Sequence, residues 1–443
     1  SYPLYILSRE ICRGFAKPRE NVASKKELSA VSSNGYNIMK PINYAQTLKL
    51  AIAAVLFLSF LLGLRWLWSD IFYEPEHPPV VQGTLDLRGW DFENSRSIAL
   101  DGEWAFYPEA LVTRETADRQ PDSALRYVQV PGDWRDAMPG EPDDSYGYGT
   151  YRLRILVDPV PDRQFGFWME EIEASSRVEI NGHAEPSIGK IADSKQHYRP
   201  NKTSYTASYA SDGAASIELF VQSANYDNPF KGGIVRSIRF GSQAAVDTER
   251  WYSIGFQLVM FIILLLHALY ACLLYLFKPR ETSLIVFFLL FLTVALSVVT
   301  SHDSLLMQWL PLDYAWEMKL TLLSYMWLSF FILVMSSRVS GQPLNKVLFR
   351  VYASGLAAYT GFILAAGAPL VYASRELHFF LFFYVFPLVW FVSLIVKMVA
   401  RNKNDVVFPL LTVVGILSSV IWGMFGFLKT NTAIYYPIDV LAA

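Results

Sequence analysis

The chain alternates between long apolar blocks and stretches in which apolar and polar residues follow each other with a period of two. The first block covers 50–64 and extends through Trp68, with Arg65 as its one charged residue. Six more blocks follow Arg250, each about 17 to 26 residues long, the length that a helix needs to cross a hydrocarbon core. They cover 252–277, 283–299, 318–335, 347–366, 379–398 and 406–428. The pattern predicts membrane-spanning helices.

The region between the first block and the others has the pattern of a β domain. The run at 150–157, for example, alternates apolar and polar residues, so one face of the strand is expected to be buried. Turn-forming pairs such as Asn181-Gly182 separate runs of this kind. They predict an antiparallel sandwich over 71–248.

The remaining segments complete the predicted domain organisation. Residues 1–44 are polar and aperiodic, which predicts a disordered cytoplasmic tail in which Met39 is a candidate true start. Residues 45–70 are a signal anchor or a cleaved signal peptide, and either one exports the β domain. Residues 249–443 are expected to form a transmembrane bundle of six complete helices and a truncated seventh, which starts at 433.

Positive charge in the loops predicts the orientation of the bundle. Lys and Arg concentrate in alternate loops, and such loops are usually cytoplasmic. The residues concerned are Lys278, Arg280, Arg338, Lys346, Arg350, Lys397, Arg401 and Lys403. Arg250 then lies outside, and the β domain with it. We therefore expect a multi-pass protein of the bacterial inner membrane, embedded in the lipid bilayer, with the β domain on the extracytoplasmic side.

Composition narrows the possible partners and cofactors. Of 443 residues, 53% are hydrophobic and 15% aromatic, and the net charge of −2 gives no reason to expect nucleic acid as a partner. The two cysteines, Cys12 and Cys272, are separated by the predicted membrane boundary, so we expect a β domain without disulfides. No zinc-type spacing or nucleotide-binding loop occurs, and we expect no cofactor.

Five short motifs in the β region occur in an informative order. They are Leu-Asp-Gly-Glu-Trp-Ala-Phe-Tyr at 100–107, Val-Pro-Gly-Asp-Trp at 130–134, Gly-Thr-Tyr-Arg-Leu at 149–153, Val-Glu-Ile-Asn-Gly at 178–182 and Lys-Gly-Gly-Ile at 231–234. The order resembles that of the galactose-binding-like jelly roll, as in the sugar-binding domain of family 2 glycoside hydrolases. With the export segment and the helices, 75–443 resembles the bacterial seven-transmembrane receptors with diverse intracellular signalling modules.

The resemblance implies a sensory receptor. The outer jelly roll would bind a small molecule, a carbohydrate or a protein partner, and the bundle would relay its state to a cytoplasmic signalling domain in cis or in trans. A homodimer is left open. We expect no enzymatic activity in this chain, because it contains no kinase His box and no cyclase signature; a histidine kinase or cyclase would belong to the output domain.

Aromatic and polar residues in the loops of the sandwich are the candidate ligand contacts. Loops of a sandwich cluster at its ends, where ligands usually bind, and aromatic rings stack on the apolar faces of sugars. The candidates are Trp134, Tyr146, Tyr148, Tyr198, Asn225, Tyr226 and Lys231. For Trp134, core packing is an equal alternative, whereas Trp104 and Trp168 lie in strand-like runs and are expected in the core.

A second candidate set lies at the outer ends of the predicted helices. These polar residues form a collar that would face the β domain and couple it to the bundle. The collar consists of His302, Asp303, Glu317, Lys319, Arg375 and His378. His267 lies in the middle of a span, where we expect a neutral ring bonded to a neighbouring helix rather than a relay group.

Several alternatives stay open. Acidic residues of the β region offer oxygen ligands for calcium, but no spacing singles out a site, so a metal is left unknown: Asp86, Asp91, Asp101, Glu103, Asp143 and Asp144. Glu170, Glu171 and Glu173 lie in one run, unlike the opposed carboxylates of a glycosidase. A transporter or membrane-enzyme accessory subunit, and an anchored adhesin, are the alternative functions.

Overall fold

The computed structural model describes 44–71, 75–139, 144–185, 187–300, 303–310 and 312–400, together with Val407, Leu410, Leu411, 413–415 and Ser418. Residues 1–43 of the predicted tail, the predicted seventh helix, Asp143 and His302 lie outside the described residues.

The described part of the chain forms nine α-helices. They are α1 Tyr44–Ile71, α2 Arg114–Ala117, α3 Gln243–Phe277, α4 Ser283–Thr300, α5 Leu305–Trp309, α6 Ala315–Ser340, α7 Lys346–Ala365, α8 Ala368–Glu376 and α9 Phe379–Ala400. Six of these described helices, α1, α3, α4, α6, α7 and α9, are long and apolar enough to cross a membrane. The described residues of the predicted span 406–428 are helical too.

Thirteen strands lie between α1 and α3 within the described residues. They are β1 Thr84–Asp86, β2 Ile98–Ala99, β3 Gly102–Pro108, β4 Arg126–Val130, β5 Gly147–Leu156, β6 Pro161–Met169, β7 Ile172–Glu173, β8 Ser175–Ile180, β9 His183–Ala184, β10 Tyr205–Asp212, β11 Ser216–Asn225, β12 Gly233–Ile234 and β13 Ile238–Ser242. One sheet has the order β4-β3-β5-β11-β8-β9, with β1 joined to β5, and the other has the order β10-β6-β13-β2. Strands β7 and β12 form a separate pair.

The two large sheets share one apolar core. In β5 the alternating residues Tyr151, Leu153 and Ile155 are buried in this core, together with Phe165 and Phe167 from β6 in the other sheet. The period-two pattern therefore places apolar side chains between the sheets, as predicted. This confirms the coarse prediction of a β domain joined to a helical bundle.

The predicted turn at Asn181-Gly182 is confirmed. It joins β8 to β9, and both residues have positive φ, 49° for Asn181 and 87° for Gly182. This conformation favours Asn and Gly, and its twist matches that of a two-residue hairpin. The Asn181 amide also donates 2.8 Å to the Tyr209 hydroxyl, which ties the turn to strand β10.

The first transmembrane candidate of the bundle begins without a linker. Helix α3 starts directly after β13, and the Ser242 hydroxyl caps it by accepting a hydrogen bond of 3.3 Å from the Ala245 amide. The first turns pack on the outer face of β6, where a Cβ on Gly166 would lie 3.1 Å from Val246. Glu249 then accepts 2.5 Å from the Ser97 hydroxyl. Sheet and helix are therefore held as one continuous piece.

Alternate helix connections return to the β domain. Asp303 follows α4 and contacts Ser204, while Tyr314 precedes α6 and contacts Glu173. Tyr372 of α8 lies at the same end, 2.9 Å from Tyr314. The segments after α4 and after α7 thus lie at the end of the helices that contacts the sandwich.

Helix α1 packs with the last described residues of the bundle. Arg65 is buried, and its guanidinium donates 3.4 Å to the Ser418 hydroxyl. Leu61, one turn earlier, is also buried. The predicted anchor therefore has specific contacts with the far end of the chain, and its charged residue has a partner there.

Candidate functional site at the junction of sandwich and helices

The short strand β7 places the buried carboxylate of Glu173 next to the helices. Glu173 is 1% exposed and pairs with Gly233 of β12. Its Oε1 accepts a hydrogen bond of 3.1 Å from the Asn228 side chain and another from the hydroxyl of Tyr314. The Tyr372 hydroxyl donates to that of Tyr314 over 2.9 Å. A chain of polar groups therefore connects α8 and the start of α6 to the sandwich.

Two cations balance the carboxylates on the sandwich side. The Lys202 ammonium lies 2.6 Å from Glu171 and 3.4 Å from Glu173. Arg236 lies 2.8 Å from the other oxygen of Glu171. Charge-assisted contacts of this length are the stronger class of hydrogen bond. Glu171 is thus held between two positive groups, whereas Glu173 shares its cation with Glu171.

The carboxyl groups of Glu170, Glu171 and Glu173 differ in pKa because their surroundings differ. Burial opposes ionisation of Glu171, but the charges of Lys202 and Arg236 outweigh it and lower its pKa to about 2. Burial raises the pKa of Glu173, and Lys202 compensates only in part. Burial likewise raises the pKa of Glu170 to about 7, against the pull of Arg236 and Arg239. Desolvation acts on all three, and Glu171 differs from the others in its close ion pairs with two cations, Lys202 at 2.6 Å and Arg236 at 2.8 Å.

Lys202 is the centre of this network. Burial disfavours its ammonium form, but the carboxylates of Glu171 and Glu173 outweigh burial and raise its pKa. The side chain is 17% exposed, so water screens the pair only weakly. Lys202 therefore remains charged and holds the two carboxylates in place.

Asp303 forms a second polar link between the domains. One of its oxygens accepts 2.9 Å from Ser204 of the sandwich, and the other accepts 2.8 Å from Ser253 of α3. The neighbouring Ser304 hydroxyl donates 2.7 Å to Glu317 in the first turn of α6. One short segment thus binds the sandwich, α3 and α6 together.

Apolar residues from both sides close around these polar links. A single buried cluster, which we call the junction cluster, combines sandwich residues with bundle residues. It contains Ala174, Ala192, Tyr198, Ala224, Tyr314, Met318, Leu322, Leu323, Met326, Tyr352, Leu356, Ile363, Val371 and Tyr372. Because such an interior packs like a protein core, a shift on one side has to be accommodated on the other.

The predicted collar is divided between the junction and the exposed surface. Asp303 is buried and contacts the sandwich, and Glu317 contacts Ser304. Lys319 is buried as well, but its ammonium donates 2.7 Å to the Ala366 carbonyl and lies 5.3 Å from the ring of Trp316, so it links α6 to the end of α7. Arg375 and His378 are exposed.

Trp134 is a core residue, which corrects its assignment as a ligand contact. Its indole has no exposed surface, stacks on Tyr151 with ring centroids 6.3 Å apart, and donates 3.0 Å to the Ser145 carbonyl. Trp104 is confirmed in the same core. Trp168 is buried but does not belong to that core cluster. The loop position of Trp134 suggested a ligand contact, but the loop folds back over the sheet.

Asn225 organises a loop, which corrects its assignment as a ligand contact too. The side chain is fully buried and its amide donates to three carbonyls, those of Ser145, Asn228 and Lys231, over 2.9, 2.6 and 2.9 Å. Its oxygen accepts from the backbone of the same loop. An amide with these partners serves the backbone and leaves little capacity for a ligand.

The predicted tyrosines converge, but at the junction. Tyr198 is buried in the junction cluster and meets Tyr226 edge to face, with ring centroids 5.3 Å apart. Tyr148 and Tyr226 are half-buried against the same cluster, and burial raises the pKa of Tyr226 to about 12. Tyr146 is half-buried, and Lys231 is exposed. This end of the sandwich therefore faces the helices.

The main members of the site were missed from the sequence. Glu171, Glu173, Lys202, Arg236 and Tyr314 come from four separate segments. One signal was present, because a Glu-Glu-Ile-Glu run beside buried strand residues requires cations nearby. The hydrogen bond of His267 also differs from expectation, since the ring lies 2.7 Å from the Ile263 carbonyl of its own helix, whereas its contact with the neighbouring helix α4 is with the ring of Phe291, 5.5 Å away between centroids.

No known family model matches the chain, and no curated protein matches it. Solved structures similar to it include a family 2 β-galacturonidase from Eisenbergiella tayi bound to glycerol, with 16% identity, a TM-score of 0.23, and coverage of 33% of this chain and 25% of that one. A Ruminococcus gnavus β-glucuronidase has 16% identity, a TM-score of 0.25, and 34% and 29% coverage. A putative β-galactosidase from Bacteroides fragilis has 19% identity, a TM-score of 0.24, and 33% and 23% coverage. The chain spans about a quarter of the length of these proteins.

Proposed function

We propose that the chain is the sensory and membrane-embedded part of a receptor. The sandwich binds a small molecule, a carbohydrate or a protein partner outside the membrane. The bundle carries the change across the membrane to a cytoplasmic signalling domain, in cis or in trans. In this proposal the protein belongs to the bacterial inner membrane, and the sandwich is a galactose-binding-like jelly roll on the extracytoplasmic side.

The observation that carries the proposal is the contact between Glu173 and Tyr314. Glu173 belongs to a strand of the sandwich, and Tyr314 directly precedes the helix α6. A domain that served only as an external accessory would need no buried carboxylate aimed at a helix terminus, because burial of a charge is costly without a partner. Glu173 is buried at this cost where the sandwich meets the helices, and this supports a role in coupling the two domains.

The connections of helices α3 and α6 to the sandwich show how a relay would work. Helix α3 continues directly from β13, so a tilt of that sheet moves the helix. Helix α6 is attached through Tyr314 and through the contact of Glu317 with Ser304. A displacement between the β7–β12 pair and the sheet that contains β13 then becomes a displacement between α3 and α6, a rigid-body transition of the kind seen in switching proteins.

Spin labels on the full chain in lipid nanodiscs test the relay. Phe277 and Val339 lie at the ends of α3 and α6 away from the sandwich and are exposed, so each accepts a label in a background without Cys12 and Cys272. Tyr314→Phe removes the hydroxyl that binds Glu173. We expect the distribution of distances between the labels to shift.

Two variants control this experiment. Tyr270→Phe makes the same chemical change on an exposed face of α3 and should leave the distances unchanged. Glu173→Gln keeps an oxygen acceptor for Tyr314 but removes the charge beside Lys202, and should shift the distances in the same sense as Tyr314→Phe. Identical distance distributions in the labelled parent protein and in all three variants would contradict the relay.

A further inference from the structure

The junction occupies the end of the sandwich where the aromatic loops lie, so a ligand needs another entrance. A groove of about 450 Å³ lies beside the edge strand β4 and the loop after it. Pockets for small molecules usually measure about 300–1,000 Å³. We infer that this groove is the ligand site of the sandwich and that it binds a neutral, hydroxyl-rich small molecule of mono- or disaccharide size. The inference rests on the proposed receptor function.

The lining of the groove supports this ligand class. Tyr127 is 46% exposed and offers an aromatic face. Arg126 supplies donors, Asp133 and Asp136 supply acceptors, and Gln129 supplies both. Hydroxyl groups can satisfy every one of these side chains, because each hydroxyl donates and accepts. Asp133 is ion-paired with Arg135 at 3.2 Å, and Asp136 and Arg126 balance each other in charge, so the lining favours a neutral ligand.

The floor of the groove is bonded to β12 and the residue before it, and β12 pairs with the strand that carries Glu173. Gly132 donates 2.9 Å to the Ile234 carbonyl, and Gly232 donates 3.0 Å to the Asp133 carboxylate. Gly233 and Ile234 form β12, which pairs with β7. A ligand hydroxyl that draws on Asp133 competes with Gly232 for that carboxylate. Two hydrogen-bonded steps therefore separate the groove from Glu173.

The test uses the full chain in lipid nanodiscs prepared without glycosidic detergents, since their head groups resemble the proposed ligand. Lactose, maltose, cellobiose and chitobiose are titrated by isothermal calorimetry. We expect saturable binding of at least one of them. Asp136→Asn and Tyr127→Ala should each weaken it by about tenfold or more. Hydrogen exchange at the amides of Glu173 and Ile234 should change when that sugar binds.

Matched variants keep the assignment to the groove specific. Glu115→Gln neutralises an exposed carboxylate and Leu111→Ala removes an exposed apolar side chain elsewhere on the sandwich, and both should leave the affinity unchanged. Absence of saturable binding by all four sugars, or equal effects of groove and control variants, would overturn the inference. A sugar that binds without changing exchange at Glu173 would overturn the link to the junction.

Two other outcomes separate this inference from its premise. Binding of an alternating Val-Thr peptide, with exchange protection confined to β4, would assign the groove to an extended protein segment that pairs with the edge strand, and would overturn the sugar assignment. A shift of the spin-label distances in Tyr314→Phe together with no sugar binding would remove the groove and leave the relay standing.

Discussion

Lys202 lies 2.6 Å from Glu171 at the centre of the junction between the sandwich and the helices. Arg236 approaches the other oxygen of Glu171, so this carboxylate has two cations and Glu173 shares one of them. The unequal sharing leaves Glu173 dependent on the Tyr314 hydroxyl and the Asn228 amide. Any change in the position of Lys202 therefore alters the carboxylate that contacts the bundle.

Removal of the Lys202 charge should destabilise the junction. In Lys202→Met two carboxylates lose their shared cation, and an uncompensated buried charge costs about 3–5 kcal/mol. Because Lys202 and Glu171 are both partly exposed, we expect a loss of about 3 kcal/mol or less, measured by urea unfolding in nanodiscs. Lys190→Met, at an exposed position, should change the free energy of unfolding by less than about 0.5 kcal/mol. Equal losses in both variants would argue against the network.

Stability should depend on pH in two opposite ways. Burial raises the pKa of Glu170 from 4.5 to about 7, so the folded protein binds this proton more tightly than the unfolded chain, and stability decreases as pH rises through that interval. The pKa of Glu171 is lowered from 4.5 to about 2, so its contribution is present above 4.5 and lost as pH falls toward 2. The midpoint temperature of thermal unfolding should therefore be highest near pH 4.5, the lower limit of the Glu170 interval.

Glu170→Gln distinguishes the two effects. The variant should lose the part of the decrease between pH 4.5 and about 7 that Glu170 contributes, keep the part that comes from Glu173, whose pKa burial also raises, and keep the loss of stability at acid pH. Glu115→Gln, an exposed control, should reproduce the full profile of the unmodified protein. If Glu170→Gln retains the whole decrease, Glu170 is not responsible for any of it.

Trp134 is buried and Trp251 is exposed, so the same substitution at both positions tests the corrected assignment of Trp134. Trp134→Ala removes a fully buried ring from the core and should cost about 3–5 kcal/mol of unfolding free energy. Trp251→Ala, at a position that is 73% exposed, should cost less than about 0.5 kcal/mol. A small effect of Trp134→Ala would return this residue to the candidate ligand contacts.

Gly233 and Gly89 have the same φ, +81°, in different surroundings. A Cβ at Gly233 would collide with the Tyr151 hydroxyl and lie 3.1 Å from Trp134, whereas nothing lies within 4 Å at Gly89. Both alanine variants share a backbone strain of about 1–2 kcal/mol. Overpacking should cost Gly233→Ala about 1–3 kcal/mol more and weaken the β12–β7 pair, as differential scanning fluorimetry and exchange at Glu173 would show. Equal midpoints would contradict the close packing around β12.

Cysteine accessibility tests the predicted orientation. With Cys12 and Cys272 replaced by Ser, Asp313→Cys should react with a membrane-impermeant maleimide in spheroplasts, because the loop before α6 lies on the side of the sandwich. Arg280→Cys, in the exposed loop after α3, should react only after permeabilisation. The reversed pattern would place the sandwich in the cytoplasm and contradict the receptor proposal.

The elements of the fold follow from local sequence properties. Apolar blocks of membrane length predicted the long helices, since hydropathy over about 20 residues is a property of the segment alone. Period-two alternation predicted strands such as β5, and Asn181-Gly182 predicted a hairpin turn because few other pairs adopt positive φ at both positions.

The contacts of the site depended on tertiary packing instead. Trp134 lies in a loop by its neighbours in sequence, and only the fold of that loop over Tyr151 places it in the core. Glu171, Lys202 and Arg236 acquire their pairing from segments that are adjacent only after the sandwich has closed. The sequence alone determined which segments form helices long and apolar enough to cross a membrane and which segments form strands, because both patterns are properties of consecutive residues. Packing between distant segments decided which carboxylate meets which cation, because burial makes each unpaired charge costly.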